Sequence, residues 1–159
     1  MRHHFLAAVF ILITATITTS SAMGETQIYW TNITPGTSGS GSIMRARADG
    51  SGVETLVTGL SHPRGMTLDL NGGKMYWTEP GVPAIRRANL DGSNVQTVVS
   101  GVQNGTAGVA LDTVAGKMYW TGSVGGPLGG MNGEIHRANL DGSSSEQLPI
   151  GGLVSPTGI

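Results

Sequence analysis

Tyr76-Trp77-Thr78 decides the fold. The same word returns as Tyr29-Trp30-Thr31 and Tyr119-Trp120-Thr121, and the three copies hold every tyrosine and tryptophan of the chain. The tryptophans stand 47 and 43 residues apart. Self-similarity at such a period marks one supersecondary unit repeated along the chain. Two other markers keep step with it. Asp-Gly recurs at Asp49-Gly50, Asp91-Gly92 and Asp141-Gly142, and glycine-led segments run to Asp69 and Asp112, with Pro156-Thr157-Gly158-Ile159 opening the same pattern again.

Around the word, Lys74-Met75-Tyr76-Trp77-Thr78 and Lys117-Met118-Tyr119-Trp120-Thr121 are short and rich in aromatic residues, which suits a pleated strand. Successive side chains of a strand face opposite ways, so Met75 and Trp77 share one face and Tyr76 and Thr78 the other. Both faces are apolar, as in a strand covered on both sides. Residues 85–90 then meet Asp91-Gly92, a tight-hairpin signal, before residues 95–99. The segment 108–112 supplies a fourth strand. Four short strands per unit, with no helical period between them, predict an all-β chain of four-stranded antiparallel blades arranged as a β-propeller.

The stretches KMYWTEP, IRRANLDGSNVQTVVSGV and GVALDTVAGKMYW resemble the YWTD repeat, also called the low-density-lipoprotein-receptor class B repeat, and the similarity extends over residues 28–159. The resemblance implies a six-bladed propeller of which about three blades are present, half of the ring. Units fall near 28–62, 63–105 and 106–155, with residues 156–159 starting a further strand. It also implies that the segments ending in Asp69 and Asp112 are innermost strands, the Tyr-Trp-Thr words second strands, and the segments ending in Asp-Gly third strands. The fourth letter of the family motif is aspartate, whereas Asn32, Glu79 and Gly122 stand there in this chain. Gly122 has no side chain to make a carboxylate's hydrogen bonds, so the third blade is expected to be the loosest.

Met1-Arg2-His3-His4, the apolar run to residue 17 and Ser20-Ser21-Ala22 read as a secretory signal peptide over residues 1–22. The run is shorter than the roughly 20 residues that span a bilayer. The expectation is a secreted protein, periplasmic or extracellular, with no membrane attachment after cleavage. There is no cysteine, so packing and sheet hydrogen bonds must supply the stability. A formal charge of -1 with 12% charged residues offers no electrostatic grip on nucleic acid or anionic lipid.

Propellers close with at least about four blades, and three would leave two sheet faces open. Two expectations follow. Either the sequence is truncated and the missing remaining blades cover those faces, or the chain self-associates, residues 156–159 of one copy completing the blade that begins at Ile28 of the other.

In an antiparallel meander, the loops after second strands and those entering first strands share one rim. That rim carries the loop after Asn32, residues 79–83 and the insertion 123–132, with His62, Arg64 and Asn104 beside them. Variable loops carry specificity, so Asn32, His62, Arg64, Glu79, Asn104 and Ser123 are the candidate binding residues. Asp69 and Asp112 recur once per unit before a turn and are expected to cap it, and Asp91-Gly92 and Asp141-Gly142 likewise read as structural. Arg86-Arg87 is expected to be a solvated face and His136 a packing or surface residue. Asn32-Ile33-Thr34 and Asn104-Gly105-Thr106 match the glycosylation pattern. No residue is nominated as catalytic, no metal site is expected and no cofactor is implied. The expected function is that of an exported, non-enzymatic module binding a protein or peptide ligand through its loop rim. The alternative is a fragment of an exported propeller enzyme of the lactonase or lyase kind.

Overall fold

The computed structural model describes residues 14–18, 26–33, 39–103, 105–125 and 131–159. Among them are twelve strands and no helix. The first sheet is β1 (Thr14–Thr18), β2 (Gln27–Asn32), β3 (Gly41–Arg47) and β4 (Glu54–Leu60). The second is β5 (Met66–Asp69), β6 (Lys74–Glu79), β7 (Ala84–Asn89) and β8 (Gln96–Ser100). The third is β9 (Val109–Asp112), β10 (Lys117–Gly125), β11 (Met131–Asn139) and β12 (Glu146–Gln147). Each sheet is an antiparallel meander in sequence order, and β5 touches both β1 and β9. First strands therefore meet along one axis while the sheets fan away from it, as three blades of a β-propeller.

The parity of the Tyr-Trp-Thr word explains why the blades stack. Trp77 turns towards the first sheet and packs with Tyr29, Ile43, Leu60 and Met75. Tyr76 turns the other way, joining Ile85, Val109, Met118 and Trp120 between the second and third sheets. Trp77 and Met75 are fully buried and Tyr76 is nearly so, each burial contributing about 1.5–3 kcal/mol relative to exposure. On the end sheets the outward members of the word, Trp30 and Tyr119, are only partly covered.

Hydrogen bonds lock neighbouring blades in register. The Thr31 hydroxyl donates to the Arg64 carbonyl at 3.0 Å and that of Thr78 to the Ala107 carbonyl at 2.8 Å. Further out, Arg45 donates to the carbonyl of Leu90, and Arg87 and the Tyr76 hydroxyl both donate to that of Leu140. The Asp-Gly turn of each following blade thus seats in a tyrosine-arginine clamp of the blade before it. Gly92 and Gly142 have φ of 86° and 88°, and a Cβ at either would overlap the carbonyl oxygen of Leu56 or Val98. Only glycine meets both demands.

Several features differ from the sequence-based expectation. A first strand precedes β2, since Thr14–Thr18 pairs with it from Thr14 opposite Thr31 to Thr18 opposite Gln27; these residues lie in the stretch read as a leader, and most of that stretch falls outside the described residues. The insertion expected as a rim loop instead lengthens a hairpin, with Ser123 opposite Gly133 and Gly125 opposite Met131. Arg86 and Arg87 are not a solvated face. Arg87 clamps the next blade, and Arg86 pairs with the buried Glu79 at 3.2 Å. The reason is register: Arg86 stands opposite Trp77 on the face turned to the first sheet, and Arg87 opposite Tyr76 on the face turned to the third.

Candidate functional site at the channel mouth

The link between the first and second sheets, Leu60-Ser61-His62-Pro63-Arg64-Gly65, is held at nearly every step. The Ser61 N–H donates to Glu79 Oε1 at 2.6 Å, and the Ser61 carbonyl accepts the Gly81 N–H at 3.1 Å. The Arg64 N–H donates to the Thr78 carbonyl at 2.9 Å while the Arg64 carbonyl accepts Thr31. The Gly65 N–H donates to the Ala107 carbonyl at 2.9 Å. Pro63 is buried, and a Cβ on Gly41 would run into its ring. His62, between these anchors, has a φ of 57°, a left-handed conformation that is uncommon outside glycine. With the backbone pinned, the side chains of His62 and Arg64 stand exposed.

Both residues line a hollow of about 540 Å³ whose other walls are Ile33, the first-strand residues Met66 and Val109 with Gly65 and Gly108 just before them, Ala107, and residues 157–159. Arg64 and His62 carry the ionisable side chains of that lining. The volume lies in the range of ligand sites, which are mostly apolar with a few convergent polar groups. The guanidinium carries a fixed positive charge and five donors in a planar fork, matched to a carboxylate.

The other rim candidates are placed differently. Glu79 is 1% exposed; its carboxylate accepts the Ser61 N–H, the Trp77 indole N–H at 3.2 Å and Arg86. A buried carboxylate with three charge-assisted partners is an anchor, and what it anchors is the loop that presents His62 and Arg64. Asn32 reaches Met44 of its own sheet, and Ser123 faces the carbonyl of Gly105 at 3.4 Å. Neither lines the hollow. Asn104 lies outside the described residues. Asp69 and Asp112 accept the N–H groups of Gly72 and Ala115 at 2.8 and 2.9 Å and cap their turns. Asp91 and Asp141 likewise accept the N–H and hydroxyl of Ser93 and Ser143, bonds that hold both carboxyls below the usual aspartate range.

In the third sheet the missing motif acid returns from across the strand pair. Glu134 stands opposite Gly122, accepts the Gln103 side-chain amide at 2.6 Å and lies 2.9 Å from His136 Nε2. His136 in turn stacks on Trp120 with ring centroids 5.4 Å apart, in the place where Arg86 lies opposite Trp77. A carboxylate two residues beyond the insertion gave no signal in the sequence, because strand pairing rather than motif position brings it there.

No family model matches the chain. Among solved structures it is similar to a crystal structure of a nidogen/laminin complex, with a TM-score of 0.68 and 27% identity over 83% of this chain and 47% of that one. It is similar to a putative TolB from Agrobacterium tumefaciens, with a TM-score of 0.66 and 16% identity over 83% of this chain and 49% of that one. It also matches regucalcin, a calcium-binding protein from Agrobacterium tumefaciens, with a TM-score of 0.59 and 19% identity over 77% of this chain and 42% of that one. These structures share the fold, and this chain spans less than half the length of each.

Proposed function

We propose that the chain is the exported, non-enzymatic propeller module expected from its sequence, and that it binds a protein or peptide segment carrying a carboxylate at the channel mouth. The observation that carries this reading is the pinned loop that holds Arg64 and His62 over an apolar hollow. A rigid backbone with two free polar side chains lowers the ordering cost of binding. The nidogen/laminin complex supports it as an example of this fold engaged with a protein. The lactonase or lyase alternative would use metal ligands or a histidine at the channel mouth; among the described residues no three His, Asp or Glu side chains are grouped to hold an ion, and His62 is the histidine that lines the hollow.

The test is fluorescence polarisation with two labelled peptides, one alternating leucine with aspartate and one alternating leucine with asparagine. The acidic peptide should bind more tightly by about tenfold, the worth of a charge-assisted hydrogen bond in a partly desolvated site, and Arg64→Ala should erase the preference. Equal affinities would refute the reading, as would calcium-dependent hydrolysis of a lactone by the purified chain.

The partly covered faces favour a second element of the proposal, that further blades or a second copy of the chain cover them. Tyr119 and Arg137 repeat the positions of Tyr76 and Arg87, opposite one another in the strand pair, and form an equivalent seat for an Asp-Gly turn.

A further inference from the structure

The blade position of Glu79 is occupied by its own carboxylate, whereas the matching position in the third sheet is Gly122, and there the structure has a hollow of about 120 Å³. Gln103, Thr106, Trp120, Gly122 and His136 line it. A Cβ on Gly122 would sit 3.5 Å from Gln103 Oε1 and 3.7 Å from the His136 ring, ordinary contacts that leave the space usable. The hollow lies between the second and third sheets and shares no residue with the channel mouth.

One buried polar group at this hollow lacks a partner among the described residues. Gln103 Oε1 is buried without a hydrogen bond. Its orientation is set by Glu134, whose carboxylate only accepts and therefore takes the Nε2 side of the amide. The Trp77 indole N–H donates to Glu79, whereas Gly122 offers the Trp120 indole no matching carboxylate. An unsatisfied buried acceptor is costly to leave unpaired, so the site is poised to gain from a ligand that supplies a donor.

We propose that the hollow over Gly122 binds a primary amide group, its NH₂ donating to Gln103 Oε1 and its carbonyl accepting from the Trp120 indole. A carboxylate offers Gln103 Oε1 no proton and adds charge near Glu134, which already lies against Gln103 and His136. An ammonium group offers the indole no acceptor. A primary amide presents a donor and an acceptor in one plane and is small enough for the space.

The experiment follows the three indole N–H signals of the full 159-residue, ¹⁵N-labelled chain during titration with acetamide, sodium acetate and N,N-dimethylacetamide. Acetamide should shift the Trp120 signal saturably and leave those of Trp30 and Trp77 in place. Acetate and dimethylacetamide should bind at least about fivefold more weakly, each lacking the donor that Gln103 Oε1 requires. Gly122→Gln, which fills the hollow with its own amide, should abolish the response while the Trp77 signal certifies the fold. No saturable shift with acetamide, meaning that water alone fills the space, would overturn the proposal. So would equal binding of the three probes, a result that needs no variant to fold.

Discussion

Glu79 Oε1 accepts the Ser61 N–H at 2.6 Å, although the two residues lie in different blades. One buried carboxylate thereby joins a strand end of the second sheet to the loop that presents His62 and Arg64. Its other oxygen takes the Trp77 indole and Arg86, so blade packing and rim geometry meet at a single side chain.

Removing that carboxylate should show in both properties. Glu79→Ala strands three donors, and breaking a buried pair costs about 3–5 kcal/mol. Arg86 retains 26% side-chain exposure, so water recovers part of the loss, and urea unfolding should report about 2–4 kcal/mol. Glu79→Gln keeps acceptor capacity and should lose about half as much. A change below about 0.5 kcal/mol for the alanine variant would show that the anchor is dispensable.

Thr78 tests the bond between blades. Its side chain is fully buried and donates across the interface to Ala107, so Thr78→Val preserves shape and leaves the carbonyl without that donor. Thermal unfolding should register a loss of about 1–2 kcal/mol, and Thr78→Ser should regain part of it. Equal stability of the valine and serine variants would mean that the hydroxyl contributes nothing.

Three glycines with nearly the same backbone separate conformational strain from close approach. Gly50, Gly92 and Gly142 have φ of 83°, 86° and 88°, but a Cβ at Gly50 meets nothing within 4 Å while one at Gly92 or Gly142 overlaps the preceding blade. Gly50→Ala should cost about 1–2 kcal/mol from the left-handed backbone alone. Gly142→Ala should cost at least about 1 kcal/mol more, because seating against Val98 is lost as well. Similar losses at the two sites would contradict the docking of the Asp-Gly turn.

The turn aspartates predict a pH dependence. The Asp91 and Asp141 carboxyls are lowered first by the hydroxyls and then by the N–H groups of Ser93 and Ser143. A carboxyl that is more acidic when folded stabilises the protein fully above its unfolded value near about 4, and the contribution fades as pH falls through the folded value. Carboxyl-detected NMR titration should show Asp91 rising towards the ordinary range in Ser93→Ala while Asp141 stays unchanged. An unmoved Asp91 would remove the serine from the explanation.

Much of the fold was legible because it rests on local pattern. The strand parity of Met75, Tyr76, Trp77 and Thr78, the Asp-Gly turns and the caps at Asp69 and Asp112 all depend on residues within a few positions of one another. The clamp from Arg87 to Leu140 spans 53 residues, and nothing in Arg86-Arg87 distinguishes an arginine facing a neighbour blade from one facing water. The site was half legible. Rim position picks out His62 and Arg64, and both line the hollow. Rim position groups Glu79 with the ligand-facing residues, yet a lone acid in a motif does not reveal whether its oxygens point to solvent or into the sheet. The replacement of the acid at Gly122 by Glu134 depended on strand register through an insertion, which composition alone does not set.

Charge reversal at the channel mouth is the most direct measure of the central claim that a fixed cation there selects the ligand. Polarisation titrations of the wild-type chain and of Arg64→Glu should be made with the leucine-aspartate peptide and with a leucine-lysine peptide of equal length. The account predicts that the wild type favours the acidic peptide and the variant the basic one. An unchanged preference after reversal would contradict it.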